Sequence, residues 1–248
     1  MLEHSDRITY LSAAEVAQLA AVSQPSVTRF ANTLGFDGYP ALRKTLRSDE
    51  PETAPSDEND LQHGVRVEID NLQRLVDQLA DRSALDEAAK LLAGTTPLPV
   101  LGLRSAAPLA AYFGYFAAKI HADVRVLDHG GSLLTDRLEQ ARAAGATAML
   151  GIVLPRYPKE SLDALREARA AGLAVVALTD SPIGPVADLA DVTLCASVGT
   201  RLVFDLHTAP MALAMVLLQS VCDMNPTLTQ ARLEEFESSA TRRAIFEN

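Results

Sequence analysis

Three short stretches collect the polar groups able to hold an anion. Gly102-Leu103-Arg104-Ser105-Ala106 offers a guanidinium, a hydroxyl and backbone amides at a helix start. Pro155-Arg156-Tyr157-Pro158-Lys159-Glu160-Ser161 brings two cations, a phenol and a hydroxyl. Thr179-Asp180-Ser181-Pro182 adds two more hydroxyls and a carboxylate. Helix starts attract anions through unpaired N–H groups and the macrodipole, and Arg or Lys adds full charge. The expected chemistry is recognition of a phosphate and the hydroxyls of a small polyol. Its contacts would be Arg104, Ser105, Arg156, Tyr157, Lys159 and Ser181.

A different chemistry is written between Ser12 and Gly35. Ser12 and Glu15 form a capping box, and Val16, Leu19 and Ala20 follow as one apolar stripe. The chain turns at Ala21-Val22, and Ser23 opens a second helix as its N-cap, with Pro25 in the first turn. Val27, Phe30, Ala31 and Leu34 form the expected buried face, and Gly35 ends the helix. Ser23, Gln24, Ser26, Thr28, Arg29 and Asn32 are left outside. A slim outward face of short polar groups with one arginine suits base edges in a major groove. A third helix is expected over residues 40–47, with Leu42 and Leu46 packed inward and Arg43, Lys44 and Arg47 towards a phosphate backbone.

Other chemistries find no support. There is no Gly-x-Ser-x-Gly elbow, and Gly102-Leu103-Arg104-Ser105 is not a dinucleotide fingerprint. Cys195 and Cys222 fit no metal motif and read as small hydrophobes in a reducing compartment. His121, His129 and His207 stand apart in sequence and read as structural or surface groups, with Asp205 beside His207 worth noting. No catalytic residue, cofactor or metal is therefore expected. No apolar run reaches the roughly 18 residues of a membrane span, and the first ten residues lack a basic-then-apolar signal pattern. A cytoplasmic protein is expected.

The net charge of −10 looks wrong for a DNA-binding chain until its distribution is read. Residues 1–48 carry +1, and 23–48 carry +3, whereas residues 49–60 hold six acids and no base. The acidity lies away from the proposed reading head, and a dimer would double the basic patch.

These side chains need elements to position them. The acidic, proline-containing stretch 49–60 reads as a linker between a helix-turn-helix domain (1–48) and a second domain (61–248). The second opens with helices over 60–79 and 83–92; Leu61, Val65, Ile69, Leu72, Val76 and Leu79 keep helical spacing in the first. Apolar runs at 100–103, 124–127, 148–154, 174–179 and 192–196 then alternate with amphipathic segments at 106–120, 133–143 and 159–171. That alternation specifies right-handed crossovers and a parallel sheet, an α/β/α sandwich. Helices over 206–222 and 228–239 close the chain. The three anion-binding stretches fall at the carboxyl ends of the first, third and fourth strands, where open parallel sheets take their ligands.

The run VSQPSVTRFANTLGFDGYPALR resembles the helix-turn-helix signature of RpiR/MurR-type bacterial regulators. The second part is similar to the sugar isomerase (SIS) domain that follows it in those proteins, matching at Gly102, Arg104 and Ser105, at Pro155-Arg156-Tyr157, and at Thr179-Asp180-Ser181-Pro182 with Ala190-Asp191. The resemblance implies a transcription factor whose affinity for operator DNA is set by a phosphosugar or related metabolite, acting as a homodimer or homotetramer. Two departures stand out. Only eleven residues precede Ser12, where the family usually has one more helix, so the three-helix unit is expected to be incomplete. The Ser-x-Ser-Gly-x-Thr phosphate loop of many SIS domains is replaced by Leu154-Pro155-Arg156-Tyr157-Pro158-Lys159. The alternative function is an aldose–ketose isomerase on the same fold, with Glu160 or His207 as its base.

Overall fold

The computed structural model describes residues 11–48 and 58–247; the side chains of residues 44–48, and with them the expected contacts Lys44 and Arg47, lie outside the described residues, as do residues 49–57 of the expected linker. The backbone divides into two units, Met1–His63 and Gly64–Asn248.

In the first unit, α1 (Ala13–Leu19) starts at the expected capping box: Glu15 N–H donates to Ser12 Oγ, and Ser12 N–H donates to Glu15 Oε2 at 2.6 Å. The helices α2 (Gln24–Thr33) and α3 (Gly38–Ser48) follow. Their common core is Leu11, Val16, Ala17, Val27, Ala31, Tyr39 and Leu42. The expected apolar faces need correction here. Val16 is buried, but Leu19 and Ala20 face water and Ala17 takes the inward place. On α2, Val27 and Ala31 are buried while Phe30 and Leu34 are about half exposed. Tyr39 of α3 completes this core, 3% exposed and donating its hydroxyl to Leu11 O at 3.1 Å. Gly35 lies just past the end of α2, at φ +89°, a conformation glycine adopts without a Cβ penalty.

The second unit begins in α4 (Asp60–Gln78), which crosses the boundary, and α5 (Ser83–Ala93). Five strands follow: β1 (Leu98–Gly102), β2 (Val124–Leu127), β3 (Ala148–Val153), β4 (Ala174–Thr179) and β5 (Val192–Cys195). These five strands pair in parallel, in the order β2-β1-β3-β4-β5. The helices α6 (Ala107–Ala117), α7 (Ser132–Ala143) and α8 (Lys159–Ala170) make the crossovers, and α9 (Thr208–Met224) and α10 (Pro226–Arg242) close the unit. Every residue of β1 and β3 is buried, as strands covered on both faces require. One core joins α5, α6 and α9 to one side of the sheet; a second joins α7 and α8 to the other. The sandwich is therefore as expected, with boundaries shifted by a few residues.

The expected stripe on α4 faces a different way. Its buried face is Gly64, Glu68, Asn71 and Leu75, while Val65, Ile69 and Val76 are exposed and Leu61 is 70% exposed. Strand order reverses at β1, so the switch point lies between β1 and β3. Loops leaving those two strands diverge and open a crevice.

Candidate functional site

The crevice is built by two helix starts. After β1 the chain makes a single 3-10 turn, Arg104–Ala106, before α6. Arg104 lies in the left-handed region at φ +54°, where a non-glycine residue is strained by roughly 1–2 kcal/mol. Its side chain is exposed at the rim. Gly102 makes this turn possible: a Cβ there would stand 2.6 Å from Ala110 Cβ and 2.7 Å from Ala106 O. Ser105 Oγ donates to Leu154 O at 3.4 Å and joins the loop after β1 to the loop after β3.

That second loop carries Arg156 and Lys159, both exposed, with Lys159 the first residue of α8. Cations do not gain from a helix start, where the dipole end is positive; together the two reinforce attraction for an anion. Tyr157 donates its hydroxyl to Asp180 Oδ1 at 3.0 Å and bridges to the loop after β4. The structure thus brings Arg104, Ser105, Arg156, Tyr157 and Lys159 to the ends of neighbouring strands.

Ser181 is 7% exposed, and its Oγ donates to Ile183 O at 2.8 Å and accepts from Ile183 N–H at 3.2 Å. The hydroxyl closes a local turn instead of facing the rim. Glu160, the expected base of the alternative reading, accepts from Gly131 N–H at 3.0 Å and packs over Gly130, at the start of α7.

Sequence reasoning missed Glu68. This carboxylate is 5% exposed, accepts from Asn71 Nδ2 at 2.8 Å and backs onto Gly199. His207 precedes α9, and burial holds its imidazole below the ordinary value of 6.5, against the opposing pull of Asp205 and Glu68. The sequence signal was faint: Glu68 shares a helix face with Gly64, Asn71 and Leu75, of which only the last is strongly apolar.

On α2, Ser23 is the N-cap, but its hydroxyl pairs with Ser26 Oγ at 2.8 Å and not with a backbone amide. Arg29 donates to Ser26 Oγ at 3.3 Å, and Thr28 Oγ1 donates to Gln24 O at 3.4 Å. Ser23, Gln24 and Arg29 are exposed and Ser26 and Thr28 half-buried, so the five flank the buried Val27 and Ala31 strip on both sides. Asn32 turns aside to accept from Gly38 N–H at 2.9 Å. Arg43 is half-buried and donates to Leu11 O at 3.4 Å. Among the described residues, no group of three or more His, Cys, Asp or Glu is arranged for a metal, and no single helix is long and apolar enough to cross a membrane.

A polar-faced helical unit ahead of a parallel-sheet domain with a cationic crevice defines a two-part transcription regulator. Residues 1–52 match the helix-turn-helix domain of the rpiR family, and residues 98–220 match the SIS domain. An HTH-type transcriptional regulator of Haemophilus influenzae is 23% identical over 207 residues, covering 78% of this chain and 71% of that protein. The sugar isomerase domain of an RpiR transcription factor from Sphaerobacter thermophilus is 26% identical, with TM-score 0.65 over 71% of this chain and 97% of that one. The Vibrio vulnificus NanR protein complexed with ManNAc-6P has the same fold at 18% identity, with TM-score 0.69 over 100% of this chain and 91% of its own. The chain belongs to the RpiR-type transcription regulators.

Proposed function

We propose that this regulator binds operator DNA through Ser23, Gln24, Ser26, Thr28 and Arg29, and releases or tightens that grip when a phosphosugar enters the crevice between β1 and β3. The observation that carries the reading is the bond from Ser105 Oγ to Leu154 O at 3.4 Å, which joins the loop of strained Arg104 to the loop that leads to Arg156 and Lys159 across the switch point. Such a rim suits a phosphate, and the ManNAc-6P held by the same fold in NanR supports a phosphorylated sugar. Tyr157 orders the loop, while Ser181 serves the fold. Arg43 and Lys44 add charge for the DNA backbone. The protein acts as a homodimer in the cytoplasm, with residues 1–48 as reading head, 49–60 as linker and 61–248 as effector domain. In this reading it senses its ligand without turning it over, and Glu160, which with His207 was the base of the isomerase alternative, accepts from the Gly131 amide at the start of α7.

Gel-shift titration with the protein's own promoter tests this. Arg29→Ala is expected to weaken binding by about 1–3 kcal/mol, or roughly 5- to 150-fold. Ser105→Ala should bind the promoter like the parent in the absence of effector and respond less to a panel of sugar phosphates. Undiminished binding by Arg29→Ala overturns the reading head; turnover of any aldose phosphate overturns the sensing role.

A further inference from the structure

The helix α4 shows water a stripe that the monomer does not use. Val65, Ile69 and Val76 are 55, 51 and 61% exposed, and Leu72 between them is half-buried, its inner side packed on the core. At 100° per residue the four fall within roughly 60° of one another. Their spacing reads 4-3-4, and the sequence Val-Ile-Leu-Val is nearly the same from either end.

A second apolar feature adjoins it. The strap after β5 folds back through an antiparallel bridge between Gly199 and Leu206, with hydrogen bonds of 3.1 and 2.8 Å. Leu202 of this strap lies on Gly64, where a Cβ would stand 2.6 Å from Leu202 Cδ2. The tip, Val203-Phe204, is thereby fixed beside the residue that precedes Val65, and the two side chains are 92 and 83% exposed.

We infer that stripe and tip form the surface on which two copies of this chain pair, α4 against α4 in antiparallel sense about a two-fold axis midway between Asp70 and Asn71. This rests on the proposal that the protein is a dimer and names its surface. Three observations select a second copy as the occupant. A two-fold contact demands a self-complementary patch, and here Val65 opposes Val76 and Ile69 opposes Leu72. Arg66 lies towards one end of the stripe and Asp77 towards the other, so antiparallel pairing brings opposite charges together. Finally, six apolar side chains of these sizes present on the order of 600 Å², much of the roughly 800 Å² per partner in a stable interface.

The test uses the full chain with Cys195→Ser and Cys222→Ser as parent. Sedimentation should give a dimer of the 26.5 kDa chain, and Ile69→Asp should raise its dissociation constant at least about tenfold with an unchanged circular dichroism spectrum. A Val65→Cys/Val76→Cys variant should oxidise to a covalent dimer, since the two positions lie too far apart on one helix to bridge; Val65→Cys alone should not. A dimeric parent whose Ile69→Asp variant pairs as tightly, or whose double-cysteine variant fails to cross-link, overturns this surface and leaves dimerisation standing. A parent that stays monomeric at every concentration overturns both.

Discussion

The hydroxyl of Tyr157 donates to Asp180 Oδ1 at 3.0 Å, so the loop that carries Arg156 and Lys159 is tied to the end of the neighbouring strand β4. The bond orders the cations without competing with them for an anion. Tyr157→Phe removes one hydrogen bond worth about 1 kcal/mol. The melting temperature should fall by about 2–4 °C, and affinity for inorganic phosphate, followed by calorimetry, by no more than roughly fivefold. A loss as large as that of Arg156→Ala would place the phenol on the ligand itself.

Arg104 gives the sharpest test of the crevice. Its left-handed backbone, φ +54°, is a conformation that glycine takes freely. Arg104→Gly should relieve about 1 kcal/mol of strain, partly offset by the entropy of a freer unfolded chain. Arg104→Ala keeps the strain and also loses the guanidinium. The expected order of melting temperature is Gly above Ala, with phosphate binding weakened in both. Equal stability of the two would remove the strain argument.

Much of the fold was legible because its signals were local and redundant. Buried runs such as 148–153 alternate with helices that end at residues such as Gly172, at φ +84°, and a covered parallel sheet permits little else. The less legible points came where one side chain had two possible partners: Ser181 reads as a rim group, yet its hydroxyl meets Ile183, and Asn32 stays exposed while accepting from Gly38 N–H. The apolar spacing on α4 was visible, but spacing alone does not say which stripe meets the sheet. The buried face includes Glu68 and Asn71: Asn71 donates to Glu68 Oε1 at 2.8 Å and accepts from Arg74 at 2.6 Å, while Glu68 Oε2 is buried without a hydrogen-bond partner among the described residues.

His207 should impose a pH dependence on stability. Burial lowers its folded pKa, so the neutral imidazole is preferred in the native state. As pH falls through about 6.5 the unfolded chain takes up the proton first, and the native state loses ground until its own lower pKa is passed. Stability from this group is thus full above 6.5 and declines below it. Asp205 and Glu68 oppose the shift and shorten the window. Urea titrations at stepped pH from roughly 7.5 to 5 should show a flatter dependence for His207→Gln than for the parent. Parallel curves would mean that His207 is protonated equally in both states.

Lys119 holds the last helix by its charge. Its Nζ lies 4.7 Å from the ring centre of Tyr115, 5.1 Å from that of Phe116 and 4.3 Å from that of Phe236. The first two rings belong to α6 and the third to α10, whose only buried residue is Ala240. With so little burial, the cation between the rings becomes a principal tie, worth about 0.5–2 kcal/mol. Lys119→Met keeps the length and apolar bulk but removes the charge. Amide exchange along α10 should then quicken by roughly 2- to 30-fold while β3 and β4 stay protected. Lys119→Arg, which keeps a cation over the rings, should retain most of the protection. If Met protects α10 as well as Lys does, the tie is packing alone and the charge contributes nothing.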